Sequence, residues 1–268
     1  MTPKAFFVKH AVFRFDEFRA AYHATGHRSP HTIGAVLKQH VAAGRLLNLR
    51  RGLYATIPEG ESIDRFQVDP YLVASRLSED AVIAYHSALQ LLGKAHSVSS
   101  RITYLTARRG KPFEFQGTRF VPVLVPRSLR TSPDFGGGLK NELRAGLTVR
   151  VTGYERTLVD VLDAPEYGGG WEEIWRSLES IEFFDLEFII NYALRLSSAL
   201  TIARVGFFLE QHREALMVED HHLQALQAHA PKQREYFERR QRKGGKLIHR
   251  WNLIVPKEVL ERSWEEVA

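Results

Sequence analysis

Over the first 57 residues the apolar positions change period several times, and each change marks an element. Phe6, Phe7 and His10 share one face of a short helix over residues 4–10, and Val12 and Phe13 fit a brief strand. Asp16 is a natural N-cap for a second helix to about Tyr22, with Phe15, Phe18, Ala21 and Tyr22 turned to the core. Residues 23–28 read as a turn. Ser29-Pro30 then opens a third helix: the hydroxyl can accept an orphan N–H, and proline at the first helical position gives up a donor that has no partner there. Ile33, Val36, Leu37 and Val41 form its inward stripe, and Gly44 closes it. Strands over 45–49 and 53–57 follow, joined by the turn Arg50-Arg51-Gly52.

Residues 58–64 turn polar, as a linker does. Beyond them the pattern predicts a helix over 70–77, a buried strand over 81–84 and a helix over 85–93 with a glycine stop. Strand-like runs lie at 102–106, 113–115, 118–125 and 147–151, and helices at 154–162, 171–180, 186–196 and 199–212. Gly206 shares a face with Ile202, Val205 and Leu209, a place for close helix approach. A last strand is expected over 248–255, with Trp251, Leu253 and Val255 on one side. The fold class is α+β. A winged helix-turn-helix unit over 1–60 precedes an α+β part over 61–268, mixed at first and mostly helical after a subdivision near 165–170.

Composition narrows the chemistry. The 268 residues are 44% hydrophobic and 25% charged, an ordinary globular balance, and none is cysteine. Thiol nucleophiles, cysteine-ligated zinc, iron–sulfur clusters and redox switching are thereby excluded. The opening residues lack an apolar leader pattern and no run approaches the ~20 apolar residues of a membrane span, so a cytoplasmic, nucleoid-associated protein with no membrane partner is expected. Charge is concentrated at two places. Residues 1–57 hold nine Lys/Arg against two Asp/Glu, residues 58–227 hold eighteen against twenty-three, and residues 228–255 hold eight against two. Local positive charge of this kind suits a polyanion such as double-stranded DNA, and a solvated basic surface is the plainer alternative.

If the third helix buries Ile33, Val36, Leu37 and Val41, its outer face carries Ser29, His31, Thr32, Ala35, Lys38 and Gln39, near the end that meets base edges in helix-turn-helix docking. Arg45 opens the hairpin, and Arg50 and Arg51 at its tip can reach phosphate or the minor groove. A second basic surface is formed by Lys232, Arg234, Arg239, Arg240, Arg242, Lys243 and Lys246. It reads as a nucleic-acid surface, a protein-facing surface or a solvated helix.

The sequence offers little for catalysis. Phosphate loops, dinucleotide turns, nucleophile elbows and zinc-protease helices are missing. Asp160 and Asp163 have a spacing compatible with metal binding, but Asp163 before Ala164-Pro165 reads as a helix-end residue and Asp160 as the partner of a nearby arginine. His86 is expected to be structural, and His221-His222 lacks a third ligand at a recognisable spacing. No catalytic residue, metal or cofactor is therefore expected. The alternative is a metal-dependent nuclease, or another nucleic-acid enzyme, whose carboxylates converge only in three dimensions.

Four segments in order resemble the AbiE-type antitoxins, within a broader family of predicted transcriptional regulators of viral defence systems. They are Leu49-Arg50-Arg51-Gly52-Leu53-Tyr54, Tyr85-His86-Ser87-Ala88-Leu89-Gln90-Leu91-Leu92-Gly93, Glu155-Arg156-Thr157-Leu158-Val159-Asp160-Val161-Leu162-Asp163 and Arg250-Trp251-Asn252-Leu253. The resemblance implies a bifunctional protein. Its N-terminal winged helix would bind inverted repeats upstream of its own operon and repress it. Its C-terminal part would antagonise a nucleotidyltransferase-like toxin encoded beside it. It also implies recognition through Ser29, His31, Thr32, Lys38 and Gln39, with Arg50 and Arg51 in the wing.

Overall fold

The computed structural model describes residues 2–23, 29–238, 244–262 and 264. The fold is a mixed α+β one. The chain divides into two units, the first made of Met1–Ile83, Ser100–Val123 and Asn141–Val151 and the second of the remaining segments.

The first unit begins with α1 (Pro3–Lys9), β1 (Val12–Arg14), α2 (Phe15–His23), α3 (Pro30–Ala42), β2 (Leu46–Arg50) and β3 (Leu53–Thr56). β3 is central, antiparallel to both β1 and β2. These elements close over an aromatic core. Phe6 meets Phe13 and Phe18 edge-on at 5.1 Å between ring centres, and Phe18 stacks on Tyr22 at 5.2 Å. Such offset and edge-to-face contacts add about 0.5–1.5 kcal/mol per pair beyond the area buried. α2 starts two residues earlier than an Asp16 cap allows: the chain passes directly from β1 into Phe15, and Glu17 Oε2 accepts the Arg14 N–H at 2.6 Å. The acid one turn into the helix performs the capping.

After an exposed stretch covering the expected linker come α4 (Pro70–Leu77) and β4 (Val82–Ile83). β5 (Arg101–Thr106), β6 (Phe113–Phe115), β7 (Thr118–Leu124), β8 (Leu139–Arg144) and β9 (Leu147–Thr152) complete a six-stranded sheet in the order β6-β7-β5-β4-β9-β8. β4 is antiparallel to β5 and parallel to β9. β8 escapes the sequence pattern because it is an edge strand, in which Lys140, Asn141, Glu142 and Arg144 replace the apolar alternation of a two-faced core strand. Asp69 caps α4, its Oδ1 accepting the Tyr71 N–H at 2.9 Å, while Oδ2 pairs with Arg144 at 2.6 Å. α4 packs on β1, and the Arg76–Glu17 ion pair (3.4 Å) joins α4 to α2.

The second unit holds α5 (His86–Leu91), α6 (Tyr154–Asp163), α7 (Trp171–Glu179), α8 (Leu186–Leu196), α9 (Ala199–Gln211), α10 (Asp220–Gln227) and α11 (Lys257–Glu261). A small sheet of β10 (Glu235–Tyr236), β11 (Lys246–Ile248) and β12 (Leu253–Val255) accompanies them, with β12 in the middle. The strand expected over 248–255 is broken by a 3-10 turn at His249–Trp251. There Asn252 takes a left-handed conformation (φ 50°) and its Nδ2 donates to the Pro231 carbonyl at 2.7 Å. Gly206 does allow a close approach, but of a ring rather than a helix: a Cβ there would lie 2.2 Å from Cη2 of the fully buried Trp251. In the loop Gly136-Gly137-Gly138, Gly138 has φ +66°, and a Cβ would meet Phe188 Cζ at 2.6 Å. No helix among the described residues is long and apolar enough to cross a membrane.

Candidate nucleic-acid interface

α3 is built to expose one face. Ser29 caps it, its Oγ accepting the Thr32 N–H at 3.2 Å and lying 3.0 Å from Thr32 Oγ1. Pro30 occupies the first turn, which contains no acid to offset the positive end of the helix dipole. Ile33 and Leu37 are fully buried, and Val36 and Val41 are half-buried. On the other face Ser29, His31, Thr32, Ala35, Lys38 and Gln39 are all exposed. Every residue singled out on this helix therefore has access to a ligand. Of the turn expected ahead of it over 23–28, His23 is instead the last residue of α2, and 24–28 lie outside the described residues.

His40, which the apolar stripe did not include, closes the inner face. It is buried edge-on to Phe7 at 4.8 Å, and its Nδ1 has no hydrogen-bond partner among the described residues. Burial, followed by the charges of Arg45 and Lys4, holds its imidazole below the ordinary histidine value. Arg45 and Lys4 are themselves exposed, so positive charge flanks the C-terminal end of α3. The apolar spacing could not reveal His40, because a histidine scores as polar whether it is solvated or packed.

The two hairpin arginines have different surroundings. Gly52 supplies the positive φ (+78°) that the tight turn needs, and a bulge lies between Asn48 and Arg50. Arg51 is exposed and has no hydrogen-bonded or ion-paired side-chain partner among the described residues. Arg50 is also exposed, yet its Nη2 donates to the Leu77 carbonyl at 2.8 Å and its guanidinium lies 5.7 Å from the Phe113 ring centre. Arg50 therefore has an internal role that the sequence did not signal.

The second basic group is only partly visible. Lys232, Arg234 and Lys246 are exposed, whereas Arg239, Arg240, Arg242 and Lys243 lie outside the described residues. The described residues of this stretch belong to β10, β11 and their flanks, at the edges of a small sheet.

The carboxylates weighed as catalytic are occupied. Asp160 is buried between Arg156 Nε (3.3 Å) and the Tyr192 hydroxyl, which donates to it at 2.8 Å. Burial pushes its carboxyl up, against the pull of Arg156 and Tyr192. Arg156 is fully buried and also donates to the Gly137 carbonyl at 2.7 Å. Asp163, at the C-terminal end of α6, accepts the Thr201 hydroxyl. His86 is buried against Glu173 (3.0 Å), whose Oε1 also accepts from the Ser97 N–H and the Ser177 hydroxyl. Burial raises the Glu173 carboxyl and these donors more than offset it, so the group is held below the usual range. For His221-His222 the structure supplies what the spacing did not: Glu187 of α8 stands beside both rings.

No protein-family model and no curated protein matches the chain. Among solved structures, it is similar to the RV2827C protein of Mycobacterium tuberculosis, known from a crystal structure. The two share 18% identity over 97% of this chain and 92% of that one, with a TM-score of 0.57, a likeness of fold.

Proposed function

We propose that the chain is a sequence-specific, double-stranded-DNA-binding transcriptional repressor that works from the cytoplasm on its own operon. In this reading residues 1–60 are a winged helix-turn-helix, α3 is its recognition helix and the β2–β3 hairpin is its wing. One observation carries the proposal: the polar and basic positions of α3 lie together on its exposed face, with no acid in the first turn and, at the adjacent hairpin tip, an exposed arginine that has no partner among the described residues. Docking in the major groove puts the N-terminal residues of such a helix against base edges, while arginines and lysines around it neutralise phosphates. His31 and Thr32 in the first turn, and Gln39 two turns further along the same exposed face, are then the base-reading candidates. Lys38, Arg45 and Arg51 are the phosphate contacts, and Arg50 chiefly positions the wing.

The resemblance to AbiE-type antitoxins extends the proposal to an operon of toxin and antitoxin, with inverted repeats as operator and the C-terminal part antagonising a nucleotidyltransferase-like toxin. The test is binding of the full chain to the DNA upstream of its own start codon against a scrambled duplex, across a salt series. Preferential binding lost on Arg51→Ala with Lys38→Ala supports the reading. Equal, weak binding to both duplexes removes it.

A further inference from the structure

We infer that Glu187, His221 and His222 form a binding site for a divalent transition-metal ion of the zinc type. This inference is independent of the repressor reading and concerns a different part of the chain. Glu187 is in the first turn of α8, and the adjacent histidines are in the first turn of α10, which packs against α8. His221 Nε2 lies 3.6 Å and His222 Nε2 3.5 Å from the same oxygen, Glu187 Oε1, and a ligand atom from each residue lies within 4.8 Å of the others.

Those separations suit an ion better than direct pairing. A charge-assisted N–H···O bond closes to about 2.7–2.9 Å. Ligand atoms about 2.0–2.2 Å from a tetrahedral zinc are instead about 3.3–3.5 Å apart. The set of two imidazoles and a carboxylate is also that of three-ligand zinc sites, which leave a fourth position to water. In a chain without cysteine no thiolate competes for the ion.

The outer contacts set how tightly the site binds. His221 Nδ1 lies 3.3 Å from Glu219 Oε2, a carboxylate able to take the ring N–H and so leave Nε2 as the free lone pair. His222 is arranged differently: its Nδ1 accepts the Glu219 backbone N–H at 3.0 Å, completing the cap of α10. Ligation through His222 Nε2 moves the ring proton to Nδ1 and breaks that bond. Metal binding therefore competes with the α10 cap, and the site is weaker than a preformed structural zinc site. Glu187 and His221 have side chains 67% and 60% exposed, so an ion can reach them and they can be replaced without disturbing the core.

The experiment is calorimetric titration of the full-length, chelator-treated protein with zinc chloride in a non-coordinating buffer, alongside Glu187→Gln and His221→Ala. Circular dichroism confirms that both variants keep the fold. The expected result is uptake of about one ion per chain, weakened about tenfold or more by either change. No saturable uptake would overturn the inference, and so would uptake that the Glu187→Gln/His221→Ala double variant leaves unchanged.

Discussion

Arg50 and Arg51 are neighbours in sequence with different physical roles, and replacing each by alanine separates them. Each phosphate neutralised contributes about −0.9 to the slope of log affinity against log salt, so one lost contact makes binding about 3.5-fold less sensitive to a fourfold rise in salt. Among the described residues Arg51 has no side-chain partner to lose. Arg51→Ala should therefore flatten the slope by about 0.9 on operator and random duplex alike, while stability stays within about 0.5 kcal/mol. Arg50→Ala removes the bond to the Leu77 carbonyl and the contact with Phe113. That bond is partly exposed, so its loss is worth about 0.5–1.5 kcal/mol, or roughly 1–5 °C in the melting transition. Its effect on the salt slope should be smaller than that of Arg51. Fluorescence anisotropy with labelled duplexes over a potassium chloride series gives the slopes, and scanning calorimetry gives the stabilities. If Arg50→Ala flattens the slope as much as Arg51→Ala with no change in melting, the internal role assigned to Arg50 is wrong.

Three further outcomes are expected. Gln39→Ala should lower operator affinity more than random-duplex affinity, by about 1–3 kcal/mol if Gln39 reads a base; equal losses in competition binding would mean that the helix docks by another face. Gly206→Ala drives a Cβ to 2.2–2.7 Å from three carbons of the Trp251 ring, which is pinned by its Nε1–H bond to Glu210 Oε2 at 2.7 Å, and overpacking of this kind costs about 1–3 kcal/mol in urea unfolding. A wild-type-like midpoint would show that the ring yields freely. His40 has a folded value below its unfolded one of about 6.5, so as the pH falls through that range the unfolded chain takes the proton first and stability drops, levelling off below the folded value. His40→Met removes both the titration and the buried Nδ1 that has no partner among the described residues, and unfolding midpoints between neutral and mildly acidic pH should then vary less than in the parent.

Most of the α+β succession was legible in the sequence because it rests on local physics. The Ser29-Pro30 start of α3, the glycine of the hairpin turn and the spacing of Ile33 and Leu37 follow from capping, positive φ and helical period, none of which needs a distant partner. The exposed face of α3 followed from the same period. Elements without an apolar rhythm did not show: β8 is a polar edge strand, and α10 is announced only by Glu219 and His222 capping one another.

Tertiary structure decided what each polar side chain is for. Arg50 and Arg51 carry the same local signal, and only the placement of Leu77 and Phe113 tells an internal tie from an exposed charge. Asp160 at a metal-compatible spacing is consumed by Arg156 and Tyr192, whereas Glu187, 34 residues before His221 in the chain, stands beside it because α8 and α10 pack together. Secondary structure is set by neighbours within a few residues, and so it is written in order along the chain. The partner that satisfies a charge or completes a ligand set is chosen by packing among residues that the sequence holds far apart.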